Sequence, residues 1–452
     1  MRKEINMTEG PVTIPMIRYA IPIILSGLLQ TLYNAADTFI VGRSGVENAI
    51  GAVGSAGPAV NMILNLILGL SAGAGIVVAR YCGAKEEGLI KKTINTSMFI
   101  AIIGGILSGV LGIILSASMA EIMKIDPDIR DMSVLYMRIV FLGTPCVSIY
   151  NFCAALMNGM GKTKEPMMCL MISGLVNVIL NIIFVMGLGM DVDGVALATI
   201  ISQLVSAMLI MVFFKRNYSD FSLKNVKADK KIAVTTIKIG IPGGLQGMMF
   251  SFGNAAIMSA INSFGAVAAT AGSISGQVEA IIYYVVVAFE QTVVTFTSQN
   301  IGSKKPERIN IIIKNGLIIS VSVCLLLGVI GYLNMDNVSE LFAPGNDSVK
   351  EFVRIQLKCM VMFYSFMAFM NVFAGALKGM NKTFTIMVIN IFCILVFRLI
   401  WIFILLPNFR SIGFLYISYP LSWLLTACVN VTEYVILKKK LNIAIKEGRN
   451  TF

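Results

Sequence analysis

Residues 153–163, CAALMNGMGKT, recur 220 residues later as FAGALKGMNKT at 373–383, with five of eleven positions identical. The same offset carries Ile21-Pro22 onto Ile241-Pro242, Asn34-Ala35-Ala36 onto Asn254-Ala255-Ala256, Gly45 onto Gly265, Ser55 onto Ser275 and Asn151 onto Asn371. With one residue removed, ARYCGAK (79–85) overlays SQNIGSK (298–304). One register held over that distance in both halves marks an internal duplication.

Each repeat is built of apolar runs. Of 452 residues, 57% are apolar and 13% charged, against about 45–50% and roughly 25% in soluble domains. Twelve runs are long enough, at about 20 helical residues each, to cross ~30 Å of hydrocarbon. They fall at 14–41, 51–78, 93–118, 132–158, 167–189, 193–214, 235–261, 271–298, 309–332, 352–377, 384–406 and 412–437. The first is too long, and its flank too mixed in charge, for a cleaved signal peptide. Six spans per repeat is an even number, so both halves enter the bilayer in the same orientation, related by a pseudo-twofold axis along the membrane normal. The expected fold is an all-α polytopic membrane protein with twelve transmembrane helices in two pseudo-twofold-related six-helix bundles. Its parts are an N-terminal lobe at 1–214, a polar linker at 215–234 and a C-terminal lobe at 235–452.

The net charge of +12 sets orientation rather than naming a nucleic-acid partner. The termini and the loops after the even-numbered spans, with their adjoining helix turns, carry 27 of the 36 Lys and Arg but 9 of the 24 acids. Acidic clusters such as Glu121, Asp126, Asp128 and Asp131, or Asp336, Glu340, Asp347 and Glu351, fall on the other side. This is the positive-inside asymmetry of an even-span, multi-pass membrane protein with both termini cytoplasmic.

There is no histidine, which excludes imidazole metal ligands and the Ser-His-Asp triad. The eight cysteines show no CxxC spacing and read as small buried hydrophobes. No cofactor is expected. Reversible charge inside the membrane therefore falls to a few carboxylates. Asp37 lies deep in the first span, where an ionised carboxylate costs roughly 2.5–3.5 kcal/mol unless paired, hydrated or protonated. Tyr33 and Asn34, four and three residues earlier, share its helical face and are in position to hydrogen-bond to it. In the eighth span, Glu279 and Glu290 are eleven residues apart, within about 20° of three full turns, so they share a face with Tyr283 between them. Arg398 in the eleventh span lies at a depth similar to Glu279, and the two are expected to be neighbours. Pro22, Pro145, Pro242 and Pro420 fall within spans, where a kink is tolerated; Pro22 and Pro242, mates in the repeat, are candidate kinks shared by helices 1 and 7.

MTEGPVTIPMIRYAIP (7–22), LLQTLYNAADTFIVGR (28–43), ARYCGAK (79–85), YMRIVFLGTP (136–145), DGVALATIISQ (193–203) and FTSQNIGSKK (296–305) resemble the multidrug and toxic compound extrusion family, closest to its DinF-like and multidrug-export branch. The resemblance covers essentially the whole chain. It implies a two-lobed antiporter of a bacterial-type inner (cytoplasmic) membrane, not an enzyme, expected to act as a monomer and to export small amphipathic cationic molecules in exchange for Na⁺ or H⁺. It also implies a coupling-ion site at Asp37, with Asn177 and Thr199 as partners. Where the family branch often has an aspartate four residues after the fifth-span asparagine, this chain has Asn181. A Na⁺ at Asp37, Asn177, Asn181 and Thr199 would meet one formal negative charge; alternatively Asp37 alone carries a proton. The seventh-span glutamate of the family's other branch is absent from MMFSFGN (248–254). The competing readings are a lipid-linked oligosaccharide or lipid flippase of the same superfamily and a polytopic membrane enzyme.

Overall fold

Lipid tails are as apolar as leucine, so helices in a membrane gain little by hiding large side chains from them and associate where small residues let backbones approach. Residues 87–122 obey this rule. Gly105, Gly109, Gly112, Ser116 and Ala120 are buried, while Ile103, Ile106, Leu107, Val110, Leu111 and Ile114 are exposed. The repeat mate at 308–333 does the same, with Gly316, Ser320, Cys324 and Gly328 buried and Ile318, Leu325, Leu326, Val329 and Ile330 exposed.

The computed structural model describes residues 5–42, 49–218, 227–360 and 363–446. Gly45 of the repeat match and residues 219–226 of the expected linker lie outside them. Among the described residues the fold is helical without strands. The order is α1 (Thr13–Gly42), α2 (Ala49–Gly83), α3 (Glu87–Ile122), α4 (Pro127–Leu142), α5 (Thr144–Gly159), α6 (Lys164–Asn181), a π-helical turn (Ile182–Gly187), α7 (Val192–Asn217) and α8 (Lys230–Asn262). Then follow α9 (Ala266–Gly302), α10 (Arg308–Leu333), α11 (Met335–Phe342), α12 (Asp347–Met360), α13 (Tyr364–Gly379), α14 (Thr383–Asn390), a second π-helical turn (Ile391–Val396), α15 (Phe397–Ile400), a third (Trp401–Leu405) and α16 (Ile412–Lys446).

Among the described residues nine helical stretches are long and apolar enough to cross a membrane, and two bent pairs bring the number to eleven. The bent pairs are themselves repeat mates: α4 and α5 meet at 48°, α12 and α13 at 45°. The remaining expected span forms α8, which is 33 residues long. Its lower hydrophobicity follows from Gly240, Gly243, Gly244, Gln246, Gly247, Ser251 and Asn254, because part of this helix packs against protein rather than lipid. A Cβ added to Gly69 of α2 would lie 2.1 Å from Gly244 N, and one on Gly240 would lie 2.6 Å from Leu70 Cα. Pro22 and Pro242 sit inside α1 and α8, which run through them unbroken.

Packing divides the chain into two compact units. The first comprises Met1–Gly10, Ile17–Ser251 and Ser298–Lys305, and the second Pro11–Met16, Phe252–Thr297 and Pro306–Phe452. In the first, Met98, Phe152, Leu156 and Phe214 are fully enclosed between α3, α5 and α7. The duplication persists in backbone detail. Lys85 and Lys304 both take a left-handed conformation, φ 56° and 57°, and so do Gly161 and Asn381, φ 85° and 65°. Within the second unit, Arg354 grips Asp336 with two hydrogen bonds of 2.7 and 2.8 Å and holds that exposed carboxyl below its ordinary range.

The glycines of the founding motif explain its persistence. A Cβ on Gly159 would lie 2.5 Å from Gly75 O in the first unit, and one on its mate Gly379 would lie 2.8 Å from Val294 O in the second. Gly159→Ala and Gly379→Ala are each expected to destabilise the protein by about 1–3 kcal/mol, the usual cost of overpacking. Gly104→Ala, which meets nothing within 4 Å, should leave thermal unfolding in detergent at the parent value; a parent-like midpoint for both mates would refute the packing argument.

Candidate functional site

A polar side chain placed in a membrane interior is costly unless another polar group meets it, and α6 brings such groups to α1. Asn177 and Asn181, four residues apart, lie one above the other on one face of α6, and both are buried. Asn181 Nδ2 donates to Asp37 Oδ1 at 2.6 Å and, more weakly, to Asn177 Oδ1 at 3.4 Å. Both hydrogens of that amide are thereby used, while Asn181 Oδ1 is buried with no hydrogen-bond partner. The helix turns π-helical at Ile182, immediately after Asn181; such widened turns recur at functional positions because they displace a helix face.

The other sequence-predicted partners are placed differently. Tyr33 donates its hydroxyl to Met171 O at 3.0 Å, not to Asp37. Its ring fills the space over Gly174, where a Cβ would stand 1.8 Å from Tyr33 Cε2. Asn34 Oδ1 accepts from Gln30 Nε2 at 3.4 Å. The Thr199 hydroxyl donates to Val195 O of its own helix at 2.9 Å, with no bond to Asp37. A residue not singled out from the sequence, Tyr136 of α4, stands within electrostatic reach of Asp37 and packs on the apolar cluster of Ile40, Val185 and Val195. The YMRIVFLGTP segment that begins with it was its only signal.

The second unit treats its acids differently. Glu290 forms an ion pair with Lys378 at 2.7 Å, their side chains 15% and 17% exposed. Glu279 accepts from Gln356 Nε2 at 2.9 Å. Arg398, 6% exposed, donates from Nε to Ser422 Oγ at 3.1 Å and lies 4.1 Å from the centre of the Tyr419 ring. Glu279 and Arg398 interact electrostatically without a direct ion pair. Tyr283, expected between the two glutamates on a shared inward face, is 51% exposed and set edge-on to Tyr284. Both glutamates thus have a cation within reach.

Asp37 has amides and a phenol around it and, among the described residues, no cation. Asp37, Asn177 and Asn181 form a small polar set of one formal charge in which the Asn181 amide nitrogen is turned toward both Asp37 and Asn177. Among the described residues no group of three or more His, Cys, Asp or Glu side chains could hold a metal ion.

The MatE family model matches residues 22–183 and again 242–404, two segments whose starts are separated by the same 220 residues as the internal repeat. The chain belongs to the MatE family. It is similar to the "Probable multidrug resistance protein YoeA" of Bacillus subtilis (strain 168), 23% identical over 390 residues and covering 84% of each chain. It is likewise similar to the "Probable multidrug resistance protein NorM" of Thermotoga maritima, 24% identical over 402 residues, 87% of this chain and 86% of the relative. Among solved structures, one described as "Crystal structure of MATE in the straight conformation" superposes with a TM-score of 0.89 at 20% identity, covering 97% of this chain and 100% of the other. Another, an "Outward-facing conformation of a multidrug resistance MATE family transporter of the MOP superfamily", gives 0.87 at 21% identity, covering 97% and 99%. The expectation of a MatE-type helical transporter rather than an enzyme therefore holds.

The contact of Tyr33 with Gly174 fixes the approach of α1 to α6 and is separable from the chemistry of Asp37. Gly174→Ala should lower stability by about 1–3 kcal/mol through overpacking, and Tyr33→Phe by about 1 kcal/mol for one hydrogen bond. Thermal unfolding of the purified variants checks this, and an effect of Tyr33→Phe larger than that of Gly174→Ala would contradict it.

Proposed function

We propose that this protein is a secondary active antiporter that exports small amphipathic organic cations in exchange for Na⁺ or H⁺ by alternating access. It acts as a monomer in a bacterial-type cytoplasmic membrane, with both termini on the cytoplasmic side. Membership of the MatE family and the multidrug resistance names of its relatives support the substrate class, and the positive-inside distribution of Lys and Arg supports the orientation. The observation that supports the coupling site is the Asp37–Asn181 hydrogen bond of 2.6 Å in a setting where, among the described residues, no cation meets the carboxylate. Glu279 and Glu290 have cations at hand; among the described residues Asp37 has none, which leaves its positive charge to a transported ion.

Coupling requires that the ion bind one state better than the other. Leaving an ionised carboxylate in the membrane interior costs roughly 2.5–3.5 kcal/mol. If one state hydrates Asp37 and the other does not, binding of a single ion shifts their populations by a factor on the order of 100. That is enough to couple a gradient to a lobe movement without a second acid. The flippase alternative is disfavoured because Arg398, the cation best placed to meet an anionic headgroup, is buried against Ser422 and Tyr419.

Asp37→Asn should reduce ion-driven efflux to background while the protein remains folded and monodisperse. Efflux of a fluorescent organic cation from proteoliposomes, with Na⁺ and pH gradients imposed separately, checks this and identifies the driving ion. Parent-like gradient-driven efflux by the variant would remove Asp37 from the coupling site.

A further inference from the structure

The segment around MTEG (7–10) has no role in the Asp37 site, yet it is tied firmly into the first unit. Asn6 Oδ1 accepts from the backbone N–H groups of Thr8 and Glu9, both at 3.1 Å, and closes a turn. Gly10 then reverses the chain at φ 71°. Met7 is 2% exposed. It packs beneath Gly161, where a Cβ would meet Met7 Cε at 3.2 Å and where φ is 85°, so both space and backbone favour glycine there. The holding groups come from the end of α9. Asn300 Nδ2 donates to Met7 O at 2.9 Å, Lys305 Nζ to Thr8 O at 3.1 Å, and Lys305 pairs with Glu9 at 3.6 Å.

That end of α9, residues 298–305, lies in the first unit although the rest of the helix does not. It crosses the end of α2 with the symmetry of the duplication. A Cβ on Gly83 would stand 1.9 Å from Gln299 O, and one on Gly302 would stand 1.9 Å from Arg80 O. Gly83 and Gly302 are repeat mates, as are Arg80 and Gln299, so each glycine receives the carbonyl of the other's partner. Gln299 Nε2 also donates to Gly159 O at 2.9 Å. The crossing is symmetric, but the strap is not: the repeat position of Met7 is Lys227, at the end of the polar linker.

We infer that the Gly83–Gly302 crossing is the cytoplasmic gate of the transport cycle and that residues 6–9 latch it shut through Asn300 and Lys305. The inference rests on the alternating-access reading and orientation proposed above. Backbones in direct contact through two glycines interlock few side chains, so the ends of α2 and α9 separate without repacking a core. The strap adds to the hold of the crossing, and its bonds are to main-chain carbonyls and one exposed ion pair, which water replaces readily once the helices part. Residues 298–305 can therefore leave α2 as a piece when the strap lets go.

The test uses Ser298→Cys, a fully buried position one turn before Gly302, in the full-length chain with its eight native cysteines replaced. A membrane-impermeant maleimide is applied to inverted and to right-side-out vesicles. Asn300→Ala and Lys305→Met should each raise the labelling rate at least tenfold in inverted vesicles and lower efflux. Lys305→Arg, which keeps a charged donor, should label as the parent does, and so should Gly88→Ala, which meets nothing within 4 Å. Parent rates of labelling in both strap variants would overturn the latch. Labelling reached only from the right-side-out face would overturn the orientation, and with it the assignment to the cytoplasmic gate. The readout needs no transported substrate, so a failure of the antiport reading is seen separately in the efflux assay. Gly83→Ala serves as a second variant: faster labelling is expected, and slower labelling would contradict the crossing as the point of opening.

Discussion

A carboxylate held in a membrane interior by an amide, with no cation beside it among the described residues, is the constraint around which the first unit is organised. Asp37 meets Asn181 at 2.6 Å, and Asn181 in turn leans on Asn177. An amide stabilises the anion by donating, but it brings no charge, so the electrostatic cost of the ionised form is reduced without being cancelled. The two glutamates of α9 show the contrast: Lys378 binds Glu290 directly, and Arg398 acts on Glu279 across a short gap. A fully compensated pair is inert to gradients, because adding a proton or cation to it leaves a buried charge uncancelled. An uncompensated acid responds to them.

The second organising feature is the placement of glycine. In α3 and α10 small residues turn inward and large ones outward, the reverse of a soluble helix, because only close backbone approach distinguishes protein from lipid. The same device has different consequences at different depths. Gly159 and Gly379, inside their own units, bind helices that stay together. Gly69, Gly240 and Gly244 draw 230–251 of α8 onto α2, and Gly83 and Gly302 join the ends of α2 and α9. This is why the compact units do not coincide with the sequence repeats: the first unit has captured the beginning of α8 and the end of α9 from the second repeat.

The repeat and its register were legible because duplication leaves identical residues where backbone conformation tolerates few others. The overlay of 79–85 on 298–304 reappears as left-handed φ at Lys85 and Lys304. The bend between α4 and α5 had a signal in Pro145, which stands at the start of α5, whereas the bend between α12 and α13 had none, and Pro22 and Pro242 lie in helices that run through them. In the site, Asn177 and Asn181 came with the resemblance, and their spacing fits one face of α6. Tyr33 was read as a partner of Asp37 from helical spacing, but hydroxyl direction depends on what lies across the gap, and a glycine on α6 opened the way to Met171 O. Lys378 and Tyr136 could not be read as partners at all, because each meets its acid across a sequence separation that periodicity does not span.

On the proposed antiport reading, Asn181, where the resembling branch often has a second carboxylate, changes the kind of coupling available. Two adjacent carboxylates repel, so one of them binds a proton or cation strongly in every conformation, and the protein must work to release it. An amide has no such preference. As placed, it donates to ionised Asp37; turned about its final bond, it presents Oδ1, the buried atom now without a partner, to a protonated acid or to a bound cation. On that reading the amide can satisfy Asp37 both loaded and empty, and the difference between those conditions is left to hydration. Hydration depends on how α1 and α6 are arranged around the acid, and the π-helical turn after Asn181 is where α6 has a spare residue with which to change that arrangement. A small movement there alters the energy of a single charge, and a single charge of roughly 2.5–3.5 kcal/mol is comparable to what separates two packed states of a transporter.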